Sequence, residues 1–267
     1  APQPPMRFWG NRYIWSILLL TVAWWVSFFF IDNIFYQAAS VQYSDETALA
    51  GFLGIYLGVL GVLTLLSNFV LSGRVMGRFG LRASLLILPV GLAIGALAMS
   101  AVELAALPFW FLFAAAVATK VWSVGAGFSI DQSARSMLYQ PLPPSLRTRV
   151  QTMADGVAQP IATGLAGGAL LILGALYVDQ SAPLILGLVV ILAFLLGLAI
   201  VVGRWYVRTL LEALDRRSLR ATQLILTDAK ARTALHTALR SPQPGTVSYA
   251  IRVLTDADPD GLAAELP

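Results

Sequence analysis

The stretch Pro108–Ile130, PFWFLFAAAVATKVWSVGAGFSI, is long enough to cross a bilayer and carries a single charge, Lys120. About 20 apolar residues span the roughly 30 Å of hydrocarbon in a membrane, so the stretch reads as a transmembrane helix. Windows of the same kind occur at Ile14–Tyr36, Ala48–Ser72, Ala83–Leu104, Met153–Val178 and Pro183–Val202. Composition agrees, because 58% hydrophobic and 12% charged residues lie far from the balance of a soluble domain. The expected fold class is an all-α membrane protein with six transmembrane helices.

Arginines set the expected orientation, since basic residues near span ends stay on the cytoplasmic side. Arg7 and Arg12 precede the first span, Arg74, Arg78 and Arg82 separate the second from the third, and Arg135, Arg147 and Arg149 separate the fourth from the fifth. Arg204 and Arg208 follow the sixth. The alternate loops carry Asp45, Glu46, Glu103 and Asp179 and no basic residue. Both termini are therefore expected in the cytoplasm, and the membrane is expected to be a bacterial inner membrane. The net charge of +4 is spread over loops at the membrane surface, which suits anionic lipid and not a nucleic-acid partner.

Several function classes drop out. The chain has no phosphate-cradling GxxxxGK[ST] loop, no His/Glu metal pattern and no nucleophile elbow. It has no cysteine, and its one histidine, His236, has no metal-ligating neighbours. No enzymatic activity, metal or cofactor is expected.

Residues 1–13 open with APQPPMRFWG and read as a Pro-rich linker within something longer, with Phe8, Trp9, Tyr13 and Trp15 as an interfacial aromatic belt. Residues 14–203 form the six-helix membrane domain. Residues 204–228 mix Leu and Ala with arginines at helical spacing, as an amphipathic cytoplasmic helix does. Residues 229–267 alternate helical stretches with the turns PQPG and Asp-Pro, the texture of one HEAT-like helical repeat. A plain helical hairpin is the rival reading. One such repeat cannot bury its apolar face alone, so a solenoid is expected to continue from it and to offer a surface to a protein partner.

Small residues mark expected helix contacts, because helices in lipid approach closely where side chains are absent. Gly51, Gly54, Gly58 and Gly61 share a face of the second span, Gly91 and Gly95 one of the third, and Gly164 and Gly168 one of the fifth. Ionisable groups inside a membrane point to a pathway or site. Here they are Asp32, beside Asn33 in the first span, Lys120 in the fourth, and Asp155 at the start of the fifth. At 3.6 residues per turn, Lys120, Ser123, Gly127, Asp131 and Arg135 fall on one helix face. Gln151, Asp155, Gln159 and Thr163 fall on another, and two such stripes imply a shared wet interior. Asp155 has a rival reading as the ion-pair partner of Arg147 or Arg149, and Asp32 as a group snorkelling to the outer surface. Pro160 is expected to kink the fifth helix.

Lys120 sits about midway along its span. Its stem reaches roughly 6 Å, against some 15 Å to either surface, so the ammonium must turn into the bundle. Two roles stand: attraction of an anionic substrate with a share in gating, or a structural ion pair with a carboxylate.

Two segments carry a family resemblance. GRVMGRFGLRAS, Gly73–Ser84, is similar to the Gly/Arg loop between the second and third helices of each half of major facilitator transporters. RSMLYQPLPPSLRTRVQTMADGVAQPIATGLAGG, Arg135–Gly168, resembles the ATP/ADP translocase-like nucleotide transporters of plastids and intracellular bacteria. The matching positions are Arg135, Met137, Tyr139, Pro141, Leu142, Arg147, Arg149, Asp155, Gly156 and Val157. The resemblance covers about Trp15 to Gly203. It implies the C-terminal six-helix half of a twelve-helix carrier, whose partners are the missing N-terminal half, the lipid bilayer and a small-molecule substrate. The intramembrane polar residues and their stripes make Lys120, Ser123, Asp155, Gln159, Thr163 and Asp32 the expected substrate-binding residues, and Arg74, Arg78, Asp131 and Arg135 the expected gating or cytoplasmic-loop residues. Three places where nucleotide exchangers hold cations carry Gly127, Pro160 and Thr163 here, so an anionic or zwitterionic substrate other than a nucleotide is left open. The rival class is a transport-inactive membrane anchor that displays a repeat scaffold or sensor domain.

Overall fold

Asn11 starts the first helix: its Oδ1 accepts from the Tyr13 N–H at 2.9 Å, satisfying a first-turn donor that has no partner within the helix. The computed structural model describes residues 10–70, 72–177 and 181–227, and no strand occurs among them. In order come α1 (Arg12–Gln42), α2 (Glu46–Val70), α3 (Ser72–Leu104), α4 (Phe109–Ala126), α5 (Gln132–Leu138), α6 (Pro144–Met153), α7 (Gln159–Leu176) and α8 (Ala182–Thr227). A π-helical turn, Gly127–Asp131, joins α4 to α5, and a second, Ala154–Ala158, joins α6 to α7. Among the described residues six segments are long and apolar enough to cross a membrane: Arg12–Gln42, Glu46–Ser67, Ala83–Leu104, Phe109–Leu138, Pro144–Leu176 and Ala182–Leu211. The chain divides into two compact units, Ala1–Val207 and Arg208–Pro267, and the apolar core belongs to the first. The repeat expected over 229–267 and the first nine residues of the expected linker lie outside the described residues.

α1 is the central element. Of its most apolar window 61% is buried, against 11% for the α2 span and 17% for Pro144–Leu176. α1 packs against α4 and α7, and α3 packs against α4. Ile14, Phe30 and Ile31 of α1 meet a core that includes Leu88 and Leu92 of α3 and Leu188 and Leu192 of α8. Lipid tails are as apolar as these side chains, so close packing, more than escape from water, holds such a bundle together. The Tyr13 hydroxyl donates to the Leu138 carbonyl at 2.7 Å, tying the start of α1 to the end of α5.

The three glycine faces differ. A methyl group at Gly91 would overlap the Trp122 indole, and one at Gly95 the Thr119 side chain, so α3 and α4 touch across glycine as expected. At Gly51, Gly54, Gly58 and Gly61 of α2, and at Gly164 and Gly168 of α7, a methyl group would meet no described atom within 4 Å. Those two faces are not packed within this bundle.

Two expected loops are largely helical. Over Gly73–Ser84 the chain is helical from Ser72, with non-helical backbone at Gly80 (φ 72°, ψ 173°), a conformation open to glycine alone. Ser84 Oγ donates to the Gly80 carbonyl at 2.9 Å across this break. The backbone of Arg74 and Arg78 lies in the helical part, and their side chains are outside the described part of the structure. The fifth span begins at Pro144, which suits a first helical turn, so Arg147 and Arg149 lie on α6 and the connection shrinks to residues 139–143.

Candidate functional site

On α1, Thr21, Trp25, Phe28 and Asp32 recur at spacings of three and four and share one face. This face meets the fourth span. Lys120 Nζ donates to Asp32 Oδ1 in an ion pair, and the ammonium lies 4.2 Å from the centre of the Phe28 ring. Lys120 is 6% exposed. A cation held against a carboxylate and an aromatic face needs no route to the membrane surface. Beside the pair, Asn33 Oδ1 is buried with no hydrogen-bond partner among the described residues.

The aromatic column continues along α1. The Phe28 ring stacks on Trp24 at 5.6 Å, and the Arg135 guanidinium lies 4.1 Å over Trp24 on the way to α5. Arg135 Nε is 2.9 Å from Asp131 Oδ2. The two form a close ion pair by distance, but the angle is not that of a directed hydrogen bond, and Oδ2 is left an unfilled acceptor. Two charge pairs, Lys120–Asp32 and Arg135–Asp131, thus bracket two stacked rings.

A cavity of about 520 Å³ opens beside Arg135, within the range of small-molecule sites. α1 contributes Thr21, Trp24 and Trp25, the first π turn Gly127, and α5 Gln132, Arg135 and Ser136. Tyr139 follows α5, and Gln151 and Asp155 come from α6 and the second π turn. Burial pushes the Tyr139 phenol up, Arg135 pulls it down and the Asp155 carboxylate pushes it up again. The net shift is upward, so the hydroxyl stays a donor at neutral pH. Arg147 donates to the carbonyls of Tyr139 (3.1 Å) and Gln140 (3.0 Å), filling acceptors at the end of α5. It makes no ion pair with Asp155 among the described residues.

Both π turns border this cavity, and they explain which expected residues reach it. A π turn inserts one residue into the helical ladder and rotates everything beyond it by about 100°. Asp155 lies inside the second insertion and Gln151 just before it; both line the cavity. Gln159 and Thr163 lie beyond it and do not; Thr163 Oγ1 donates back to the Gln159 carbonyl at 3.0 Å. Pro160 follows the insertion directly and has no N–H to rejoin the ladder. On the fourth span Gly127 and Arg135 reach the cavity, while Lys120 and Ser123 are buried away from its wall. Trp24, Trp25, Gln132, Ser136 and Tyr139 were not among the expected site residues. The three-four spacing of Thr21, Trp25, Phe28 and Asp32 was the available signal for the α1 wall.

No curated protein and no solved structure matches the chain. Six apolar spans describe an integral, multi-pass membrane protein, and the family model for the TLC ATP/ADP transporter matches residues 8–212. That match takes in every described span, and the chain therefore belongs to the TLC ATP/ADP transporter family, whose members are transporters and not enzymes.

Proposed function

We propose that the chain is one six-helix half of a solute carrier of major facilitator type, working by alternating access on an anionic or zwitterionic solute. The carrying observation is the polar cavity between α1, α5 and α6, bordered by two π turns, in a chain of a transporter family. Carriers of this kind bind near the midplane between two bundles that rock, and π turns are frequent at functional sites. The glycine faces of α2 and α7, open in this bundle, suit close approach by a second six-helix bundle of the same protein, the N-terminal half. The arginine pattern puts both termini and the loop at residues 139–143 in the cytoplasm, and a bacterial inner membrane is the fitting compartment. A helical-repeat domain at 229–267 would then face cytoplasmic protein partners.

Residues 1–267 hold no cysteine, so a single cysteine introduced here, in full-length protein with any other cysteine replaced, addresses the cavity directly. In oriented vesicles of the full-length protein, Gln151→Cys and Gln132→Cys are expected to react with a membrane-impermeant maleimide from the cytoplasmic side, and more slowly from the opposite side. Reaction from one side alone under every condition would describe a membrane anchor. Reaction from neither side would rule the cavity out as a solute site.

A further inference from the structure

We infer that Asp131 and the Leu85 carbonyl form a proton-binding site inside this bundle, and that filling it releases Arg135 toward the large cavity. The site stands on this bundle alone. Its consequence, that proton and anionic solute bind together, rests on the carrier reading above.

Two buried acceptors short of donors make the site. Asp131 is 5% exposed, and its Oδ2 lies 2.9 Å from Arg135 Nε without a directed hydrogen bond. On α3, Pro89 has no N–H, so the Leu85 carbonyl one turn earlier lacks the partner a helix would give it. Leu85, Pro89, Asp131 and Arg135 line one small void of about 10 Å³, close to the least room that a water needs, roughly 10–15 Å³. Asp131 lines this void and not the large cavity. A proton on its carboxylate supplies the hydrogen that is short: the new O–H can donate across the void to the Leu85 carbonyl.

Release of Arg135 follows from charge. Ionised, Asp131 holds the guanidinium by attraction; protonated, it is neutral and the attraction ends. Arg135 and Trp24 line the void and the large cavity alike, so the guanidinium stands in the partition between them. With its counter-charge gone it rests against the Trp24 ring, 4.1 Å away, and its donors are free for an anion in the cavity. The proton comes from a hydronium ion of the cavity water, which leaves as water. Among the described residues, α1, α3 and α8 bring no titratable side chain to the void, and Arg135 is the charged group at Asp131. A solute anion that draws Arg135 away therefore favours the proton on Asp131, and by linkage the proton favours the anion.

Infrared difference spectra of full-length protein in lipid test the site with the proton alone as ligand. On acidification a carboxylic C=O band that shifts in heavy water is expected, absent from Asp131→Asn and displaced in Asp131→Glu. In Pro89→Ala, where the helix reclaims the Leu85 carbonyl, the band is expected at higher frequency. Release of Arg135 is read at Gln132→Cys on the cavity wall, in protein with any other cysteine replaced. An anionic thiosulfonate is expected to gain on a neutral one by at least about twofold at acid pH, a ratio that cancels the titration of the thiol itself. Asp131→Asn should hold the ratio high at every pH, and Arg135→Gln should abolish the rise. The site is overturned by the lack of such a band in folded wild-type protein, the result if a water serves both acceptors, or by a band that survives Asp131→Asn. A ratio indifferent to pH, or a rise that survives Arg135→Gln, would overturn the release. The wild-type spectrum decides even if a variant folds poorly. Two-sided labelling of Gln151→Cys reports on the carrier reading separately, so a failed proton site and a failed function are told apart.

Discussion

Lys120→Met is expected to destabilise the protein by about 3 kcal/mol, and Asp32→Leu by a similar amount, while the double variant lies within about 1 kcal/mol of wild type. Removing one member of a buried ion pair strands the other charge, at a typical cost of about 3–5 kcal/mol, whereas replacing both by apolar residues is often neutral. The low end applies here because the Asp32 side chain is 24% exposed and that of Lys120 only 7%. The Phe28 ring under the ammonium is retained in all variants, so it does not enter the coupling. Reversible unfolding of the four proteins in mixed micelles gives the double-mutant cycle. Transport in the same set then decides between the two roles open to Lys120. If the pair is structural, the double variant recovers both stability and uptake. If the ammonium also meets substrate, the double variant is stable and still does not transport, and Lys120→Arg keeps only part of the activity. Near-additive stability losses would show that the two groups are not coupled.

Apolar windows locate the spans because a bilayer imposes length and hydropathy on any helix that crosses it. They miss helix ends. Arg12 and the stretch Pro144–Gln151 are helical without being apolar, and the helical turns before Gly80 look like a loop because glycine and arginine dominate them. Lys120 had to turn inward on any packing of six spans, but its partner was invisible, since nothing in the order of residues sets Asp32 opposite it. The polar stripes hold as far as the π turns. A constant 3.6-residue repeat predicts Asp155 with Gln159 and Thr163; one inserted residue separates them, and insertions of that kind leave no mark in composition. Trp24 and Trp25 read as ordinary apolar filling until Arg135 is seen to lie over one of them.

The glycines offer the second large effect, and they separate packing inside this bundle from packing against another. Gly95→Leu is expected to prevent stable folding: a side chain there would strike Thr119, whose hydroxyl already donates to the Ala115 carbonyl at 2.7 Å, so neither the helix nor the side chain can give way cheaply. Overpacking of a tight contact costs roughly 1–3 kcal/mol even when repacking is available, and here the contact is close to backbone. Gly91→Leu, facing the Trp122 indole whose Nε1 donates to the Leu88 carbonyl at 3.3 Å, should behave alike. Gly58→Leu carries the same change on α2, where nothing lies within 4 Å. Helix propensity favours leucine over glycine by up to about 1 kcal/mol, so insertion and helicity should be unharmed. If a second bundle seats on that face, uptake by the full-length protein should nonetheless fall at least about tenfold, because the leucine holds the two helices apart. Monodisperse, membrane-inserted Gly95→Leu would refute the packing reading of α3 and α4. Full uptake by Gly58→Leu would show that the glycine face of α2 meets lipid, and the second bundle would have to be sought against α7.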